Sequence, residues 1–516
     1  MGALACSAVQ PFTEPRQKFE SLITYLGSEE ACSMTHSDLE RELQTKGMDL
    51  LRSLYQAHLD TRGPGEANGP VSGADGIDRT RVRVQGRGLE TVFGTVTVNR
   101  AGYGADGSKS LHPLDAELNL PPELYSHEVR RRVAEEAAKT SFDEAVESLA
   151  RNTAADVPKR QLEQLVTRAA QDFDTFYQTR RVVTEADVGT GSVLVITVDA
   201  KGVVMRTEDL RESTRKAAAK RRHRLATRLS KGEKRNAKRM ATVAAVYTLN
   251  PFVRKPEDIL RRLAPVHSAD KEKRPLPEWK RVWASLEKTP EQVIAEAFEE
   301  AEHRDPLHQK TWVALVDGNK TQIRILRKLA RKRRIKLHLI VDVIHVSQYL
   351  WSAGLAFNPE GSPELETWVS HRFLEVLRGH ASNVAAGIGR SATLRRLSPS
   401  DRKPVDHCAH YLLTYAPYLR YDHYLTQGLP IATGVIEGAC RHLIKDRMDV
   451  TGARWSLSGA EAVLRLRALR SSHDFDEYWG FHEVCEHERN HQALYADGKV
   501  PATTRPQQRP RLRLIK

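Results

Sequence analysis

Two aspartates and a glutamate carry the strongest chemical signal in the chain. Asp199 follows the apolar run 193–198, in Val198-Asp199-Ala200-Lys201-Gly202. Asp317 follows the apolar run 312–316, in Val316-Asp317-Gly318-Asn319-Lys320. Glu437 stands between Gly434 and Gly438, with Arg441 and Lys445 following at helical spacing. Converging carboxylates hold hard divalent cations such as Mg²⁺ through oxygen. Two such ions ~3.5–4 Å apart would activate an attacking oxygen and steady a leaving one at a phosphodiester. Each residue also has a plainer reading. Asp-Gly is a turn signal, and Glu437 with Arg441 is an i,i+4 pair that would support a helix. The matched strand ends favour the chemical reading for the two aspartates. The flanking glycines, which allow close backbone approach, favour it for Glu437.

The elements that must position these groups follow from periodicity. The run 193–198 is a continuously apolar strand of the kind buried on both faces. Lys201-Gly202 reads as a turn into a second strand at 203–205, and 240–249 reads as a third. Helix resumes at about Pro277, and a second helix starts at Pro290, capped by Thr289. A fourth strand at 312–316, a helix at 320–334 and a fifth strand at 337–343 follow. Three strands in meander, then helix, strand, helix, strand, is the order of an RNase H-like mixed sheet, in which the first and fourth strands lie side by side and parallel. That order would bring Asp199 and Asp317 together.

The rest of the chain divides around this core. The expected parts are an N-terminal helical region at 1–61, with a second helix capped by Ser37, and a loop or linker at 62–78. Next come a small β segment and a helical, helix-turn-helix-like region at 79–185, then the first part of the core at 190–345. An α-helical insertion at 346–430, the glutamate helix and C-terminal helices at 431–495 and a basic tail at 496–516 complete it. The fold class is therefore α/β. In the helix predicted from Pro158, Leu162, Leu165, Val166 and Ala169 face inward, leaving Arg160, Gln164 and Arg168 as a polar stripe. That stripe could enter a DNA groove or be a solvated face of a helical bundle.

The chain has 516 residues and a net charge of +14, from 80 Lys+Arg against 66 Asp+Glu. Such an excess favours a polyanionic partner. Twelve Lys or Arg fall within 215–239, Arg221 and Arg222 among them, and this run reads as a DNA-facing helix or a solvated hairpin. The five cysteines form no C-x-x-C pair, which argues against a zinc finger or a disulfide framework. No apolar run approaches the ~20 residues of a membrane span, and Leu4-Ala5-Cys6 lacks the basic and apolar stretches of a signal peptide. A cytoplasmic, nucleoid-associated protein is expected.

The motifs around the three carboxylates resemble those of bacterial insertion-sequence transposases of the ISKra type, within the DDE superfamily. The likeness rests on 198–202, 316–319 and 433–438, on Arg441-His442-Leu443-Ile444-Lys445-Asp446-Arg447-Met448, on Thr451-Gly452-Ala453-Arg454-Trp455-Ser456, and on 91–100. The resemblance implies a transposase that binds double-stranded DNA at the element's terminal inverted repeats, cleaves it and joins it to target DNA. It further implies dependence on two Mg²⁺ ions, for which Mn²⁺ could substitute, with Asp199, Asp317 and Glu437 as ligands. DNA contacts would fall on Arg441, Lys445, Arg447, Arg454 and Trp455. Mutator-like relatives carry Cys/Asp-x-x-His after the second aspartate, and Asp342-Val343-Ile344-His345 matches it, which implies an active-site role for His345. Many DDE enzymes place a base seven residues after the glutamate; here that position is Ile444, leaving Arg441 and Lys445 as substitutes. A homodimer or higher oligomer is expected because two ends must be paired. The alternatives are an RNase H-like nuclease or resolvase without strand transfer, and a DNA-binding regulator with an inactive core.

Overall fold

In the computed structural model, the residues described are 11–180, 191–220, 225, 237–263, 274–450 and 452–504. The chain forms two compact units. One comprises residues 1–178 with 475–516, and the other residues 179–474.

In the first unit, α1 spans Thr13–Leu26 and α2 spans His36–Arg62. The cap of α2 is Thr35, whose hydroxyl accepts from the Asp38 amide; Ser37, the cap expected from sequence, lies one residue inside the helix. Strands β1, Arg81–Thr91, and β2, Gly94–Gly104, pair antiparallel along their whole length. The chain reverses at Val92-Phe93, and Gly94 takes a φ of 105°, which a side chain would strain. Leu89, Val96 and Val98 of the hairpin pack with Leu59 of α2 and with Leu114 and Leu120. Three helices follow: α3, His127–Lys139; α4, Phe142–Asn152; and α5, Lys159–Ala169. The expected capping box of α4 is present, with Ser141 and Glu144 exchanging hydrogen bonds.

The second unit is built on a mixed five-stranded sheet. Its strands are β3, Val193–Val204; β4, Lys238–Leu249; β5, Glu278–Ser285; β6, Thr311–Val316; and β7, Leu337–Val341. Their order is β7-β6-β3-β4-β5. The pairs β3–β4 and β4–β5 are antiparallel, whereas β3–β6 and β6–β7 are parallel. The first and fourth strands of this unit do lie side by side and parallel.

Two sequence expectations fail here for a physical reason. Lys201-Gly202 does not turn the chain, because β3 keeps its pairing with β4 up to Val204 opposite Lys238. Residues 278–285 form a strand where a helix was expected. The segment Trp279-Lys280-Arg281-Val282-Trp283 is aromatic and β-branched enough to pair on the sheet edge. The register slips between Val246 and Thr248, and Trp279 sits at a positive φ of 51°. The meander is present, but its third strand comes later than expected.

Helix α6, Pro290–Arg304, separates β5 from β6 and is capped by Thr289, as expected. Helix α7, Lys320–Lys332, separates β6 from β7. The fifth strand is shorter than predicted, because Asp342 caps a helix, α8, Val343–Gly354. Further helices are α9, Pro363–Leu377; α10, Ala381–Leu394; α11, Pro399–Tyr415; and α12, Tyr421–Thr426. The glutamate segment is α13, Gly434–Ala439, which runs into a π-helical turn, Cys440–Lys445. Helix α14, Leu457–Ser471, closes this unit. Helix α15, Phe475–Asn490, belongs with the first unit. Among the described residues, no helix is long and apolar enough to cross a membrane.

Candidate active site at the ends of the parallel strands

The parallel strands place aspartates in a row. Thr197 of β3 pairs with Leu315 of β6, and continuing that register by two residues sets Asp199 opposite Asp317. Val316 pairs with Val341 of β7, and one residue on sets Asp317 opposite Asp342. Residues in register across a sheet lie about 5 Å apart and on the same face. Each of the three follows a valine, Val198, Val316 or Val341; Val316 and Val341 end their strands, whereas Asp199, expected at a strand end, lies inside β3, just past the last residue paired with β6.

Local hydrogen bonds fix each carboxylate differently. Asp199 Oδ1 accepts from the Ala200 amide at 2.6 Å, and Oδ2 accepts from the Cys440 thiol at 3.2 Å. Asp317 Oδ1 accepts from the Asn319 amide at 2.9 Å, and Asn319 in turn caps α7. Tyr411 donates to the Asp317 carbonyl at 3.3 Å and Tyr415 donates to the Gly318 carbonyl. The two tyrosine rings pack together, and Tyr349 stacks on Tyr411 with centroids 4.1 Å apart. The Asp317-Gly318 turn is thus held by an aromatic wall from α11.

Asp342 is 0% exposed and both its oxygens are engaged. Oδ1 accepts from the Thr433 amide at 2.9 Å, at the entry to α13. Oδ2 accepts from the His345 amide at 3.2 Å and lies 2.9 Å from His345 Nδ1. Ligand atoms of Asp342, His345 and Glu437 lie within 4.8 Å of one another. Asp342 thereby ties the His345 ring to the segment that carries Glu437. Sequence reasoning quoted Asp342 within its motif but gave it no place in the site. The Val-Asp step at the close of an apolar run, which it shares with Asp199 and Asp317, is the signal that could have found it. His345 itself lies on the first turn of α8.

The electrostatics match this crowding. Burial pushes the Asp317 carboxyl above the ordinary range, and the Asp199 charge adds to the rise against the Asn319 amide and His345. His345 is held above the usual imidazole value by its bond to Asp342, against burial, and the charges of Asp342, Asp317 and Glu437 add to this. The Cys440 thiol is raised by burial and then by Asp199, so it stays protonated and donates. A carboxylate whose pKa is raised by burial and by a neighbouring carboxylate is short of counter-charge, which a divalent cation can supply. The group whose ligand atoms do converge is Asp342, His345 and Glu437, two carboxylates and an imidazole of the kind that can hold a divalent cation; Asp199 and Asp317 stand beside it in the row set by the sheet.

The basic residues expected to touch DNA are placed unequally. Arg441, Lys445 and Arg454 are exposed, and Arg441 lies 3.6 Å from Asp446. The π-helical turn after Ala439 alters the simple i,i+4 face expected for Glu437, Arg441 and Lys445; such turns recur at functional sites. Arg447 and Trp455 are 3% and 7% exposed. The guanidinium lies 4.8 Å from the indole ring centroid, and the indole N–H donates to the Met448 carbonyl at 3.2 Å. Arg160, Gln164 and Arg168 are exposed on α5, and Arg168 pairs with Glu123. Arg221 and Arg222 lie outside the described residues.

No protein-family model matches the chain, and no curated protein matches it. Among solved structures, the Drosophila P element transposase strand transfer complex aligns over 72% of this chain and 83% of that chain, at 8% identity and a TM-score of 0.23, a likeness too slight to bear on fold or function.

Proposed function

We propose that this chain is a DNA transposase of the DDE class, similar to the ISKra-type enzymes, with an RNase H-like core. The observation that carries the reading is the row Asp199, Asp317 and Asp342 across the parallel strands β3, β6 and β7, with Glu437 and His345 gathered against its last member. Asp199, Asp317 and Glu437 would hold two magnesium ions, which supply activation of the attacking oxygen and stabilisation of the leaving one.

The protein's own groups do the rest. Asp342 keeps His345 oriented and favours its protonated form, so that the ring can hold a proton or contact the scissile phosphate. The aromatic wall of Tyr411 and Tyr415 fixes the backbone of the Asp317 turn. Arg441, Lys445 and Arg454 offer exposed charge to phosphates. The helices of the first unit, with Arg160 and Gln164 exposed on α5, bind an element end. The partners are double-stranded terminal repeats and target DNA, in a homodimer or larger assembly acting in the cytoplasm at the nucleoid.

The test is a Mg²⁺-dependent cleavage and strand-transfer assay on the DNA ends flanking the gene. Wild-type protein should cut and join, and Asp199→Asn should bind ends but do neither. Cutting of branched DNA without joining would make it a resolvase. End binding with no cutting by the wild type would make it a regulator.

A further inference from the structure

Helix α7 begins three residues after Asp317 and carries Lys320, Arg324, Arg327, Lys328, Arg331 and Lys332, all exposed. At 3.6 residues per turn these positions share one side of the helix, spanning ~18 Å of its axis. The opposite side buries Gln322, Ile325, Leu326 and Ala330. Among the described residues, none of the six is ion-paired with a carboxylate. By contrast Arg333, the residue that caps the C-terminus of this helix, pairs with Glu299 and Glu302. Like charges at helical spacing repel one another, so a stripe left without counter-charge favours a polyanion.

The stripe is also one wall of an open groove of about 720 Å³. Tyr415 and Tyr418 stand on the other wall, and Arg327 donates to the Tyr418 hydroxyl at 3.1 Å. Tyr415 ends at the Gly318 carbonyl, so the groove opens beside the Asp317 turn. Cations three or four residues apart recur every ~4.5–6 Å along a helix, a spacing that lets a row of them engage successive phosphates of one strand.

We propose that this groove holds the sugar-phosphate backbone of duplex DNA and leads it towards Asp317. The inference rests on the transposase reading for the identity of the polyanion, while the charge stripe stands without it. Backbone contacts carry no sequence information, so the groove would act equally on any DNA sequence.

The test uses the full chain and a labelled duplex of random sequence, followed by fluorescence anisotropy in EDTA over a range of salt. A triple variant, Arg324→Gln, Arg327→Gln and Arg331→Gln, is compared with Arg378→Gln, Arg390→Gln and Arg402→Gln, which removes the same charge elsewhere in the same unit. The groove triple should bind at least about ten-fold more weakly. Its plot of log K against log salt should be shallower by roughly 2–3, at ~0.9 per lost phosphate contact. The three Arg→Lys replacements should keep the wild-type slope, and each single Arg→Gln should lower it by about 0.9, which covers the case of a triple that does not fold. A wild-type slope in the groove variants, or an equal drop in the control triple, overturns the proposal. If the wild type shows the charge-dependent slope but never cuts, the proposed activity fails and the groove stands. If it cuts and joins while the groove triple keeps the wild-type slope, the groove fails and the activity stands.

Discussion

Asp342 Oδ2 lies 2.9 Å from His345 Nδ1 and also accepts from the His345 backbone amide at 3.2 Å. One buried carboxylate therefore starts the helix and orients the ring that stands beside Glu437. Its second oxygen holds the Thr433 amide, so the same side chain joins two segments that are far apart in sequence. Partners that orient a site histidine typically govern 10- to 100-fold in activity. Asp342→Asn keeps the size and one carbonyl oxygen but removes the charge. Cleavage of end DNA in single turnover should slow by roughly 10- to 100-fold, with end binding unchanged. A wild-type cleavage rate would show that the contact serves folding alone.

Gly318 offers a second check on how the site is held. It takes a φ of +98° between Asp317 and Asn319, and a Cβ there would meet the Tyr411 hydroxyl at 3.1 Å and the Tyr415 ring at 3.3 Å. Gly318→Ala thus combines backbone strain with a tight contact, at a cost of roughly 1–3 kcal/mol. Because the strain falls on the Asp317 turn, activity should fall further than stability does. Tyr415→Phe, which loses only the bond to the Gly318 carbonyl, should be milder on both counts. Urea unfolding alongside the cleavage assay measures the two, and equal effects of both variants would contradict this account.

The parts of the site that could be read from sequence were those with a local signal. Asp199 and Asp317 each end an apolar run, and the parallel pairing of those runs follows from the order of elements. The Asp199–Asp317 register depends on the same pairing, which strand order implies but spacing alone does not fix. Residues 278–285 misled because charged Lys280 and Arg281 break the alternation that marks a strand, and only the neighbouring strand β4 decides their state. Gly202 misled in the opposite direction, since pairing with β4 carries the chain straight through a residue that often turns it. Arg447 and Trp455 look like exposed binding residues by type, and only tertiary packing buries them. The groove on α7 was equally hidden, because a helix rich in Lys and Arg looks solvated until its lack of ion pairs among the described residues and the facing tyrosines are known.

Glu300 gives a prediction about stability that is independent of the site. Its carboxylate receives Arg281 at 2.5 Å and Arg304 at 2.5 and 2.8 Å, joining α6 to the edge strand β5. Burial alone would raise its pKa, but the two guanidiniums outweigh it and hold the group at about 2. A folded value below the unfolded one means stability is fully present above about pH 4.5 and is lost as pH falls towards 2. Thermal midpoints of the wild type should therefore drop over that window. Glu300→Gln should be less stable at neutral pH by roughly 2–4 kcal/mol, since it leaves two partly buried guanidiniums short of a counter-charge. Its pH dependence between 4.5 and 2 should be flatter than the wild type's, and matching profiles would sink the assignment.

Arg447, Arg454 and Trp455 separate folding from binding within a single stretch of chain. The Trp455 ring lies against Arg447 and its indole N–H reaches the Met448 carbonyl, while its backbone pairs with Val204 and Arg206 at the end of β3. Removing that ring opens a cavity beneath the segment that follows Glu437, so Trp455→Ala should cost roughly 3–5 kcal/mol. Arg447→Ala should also destabilise, by exposing one face of the indole. Arg454, one residue from Trp455, is exposed, and Arg454→Ala should leave unfolding within about 0.5 kcal/mol of wild type while weakening duplex binding and flattening its salt dependence. Scoring all three for both chemical unfolding and DNA affinity per folded molecule gives a crossed pattern. If Trp455→Ala lost affinity with stability intact, the indole would be a DNA contact after all and its packing on Arg447 incidental.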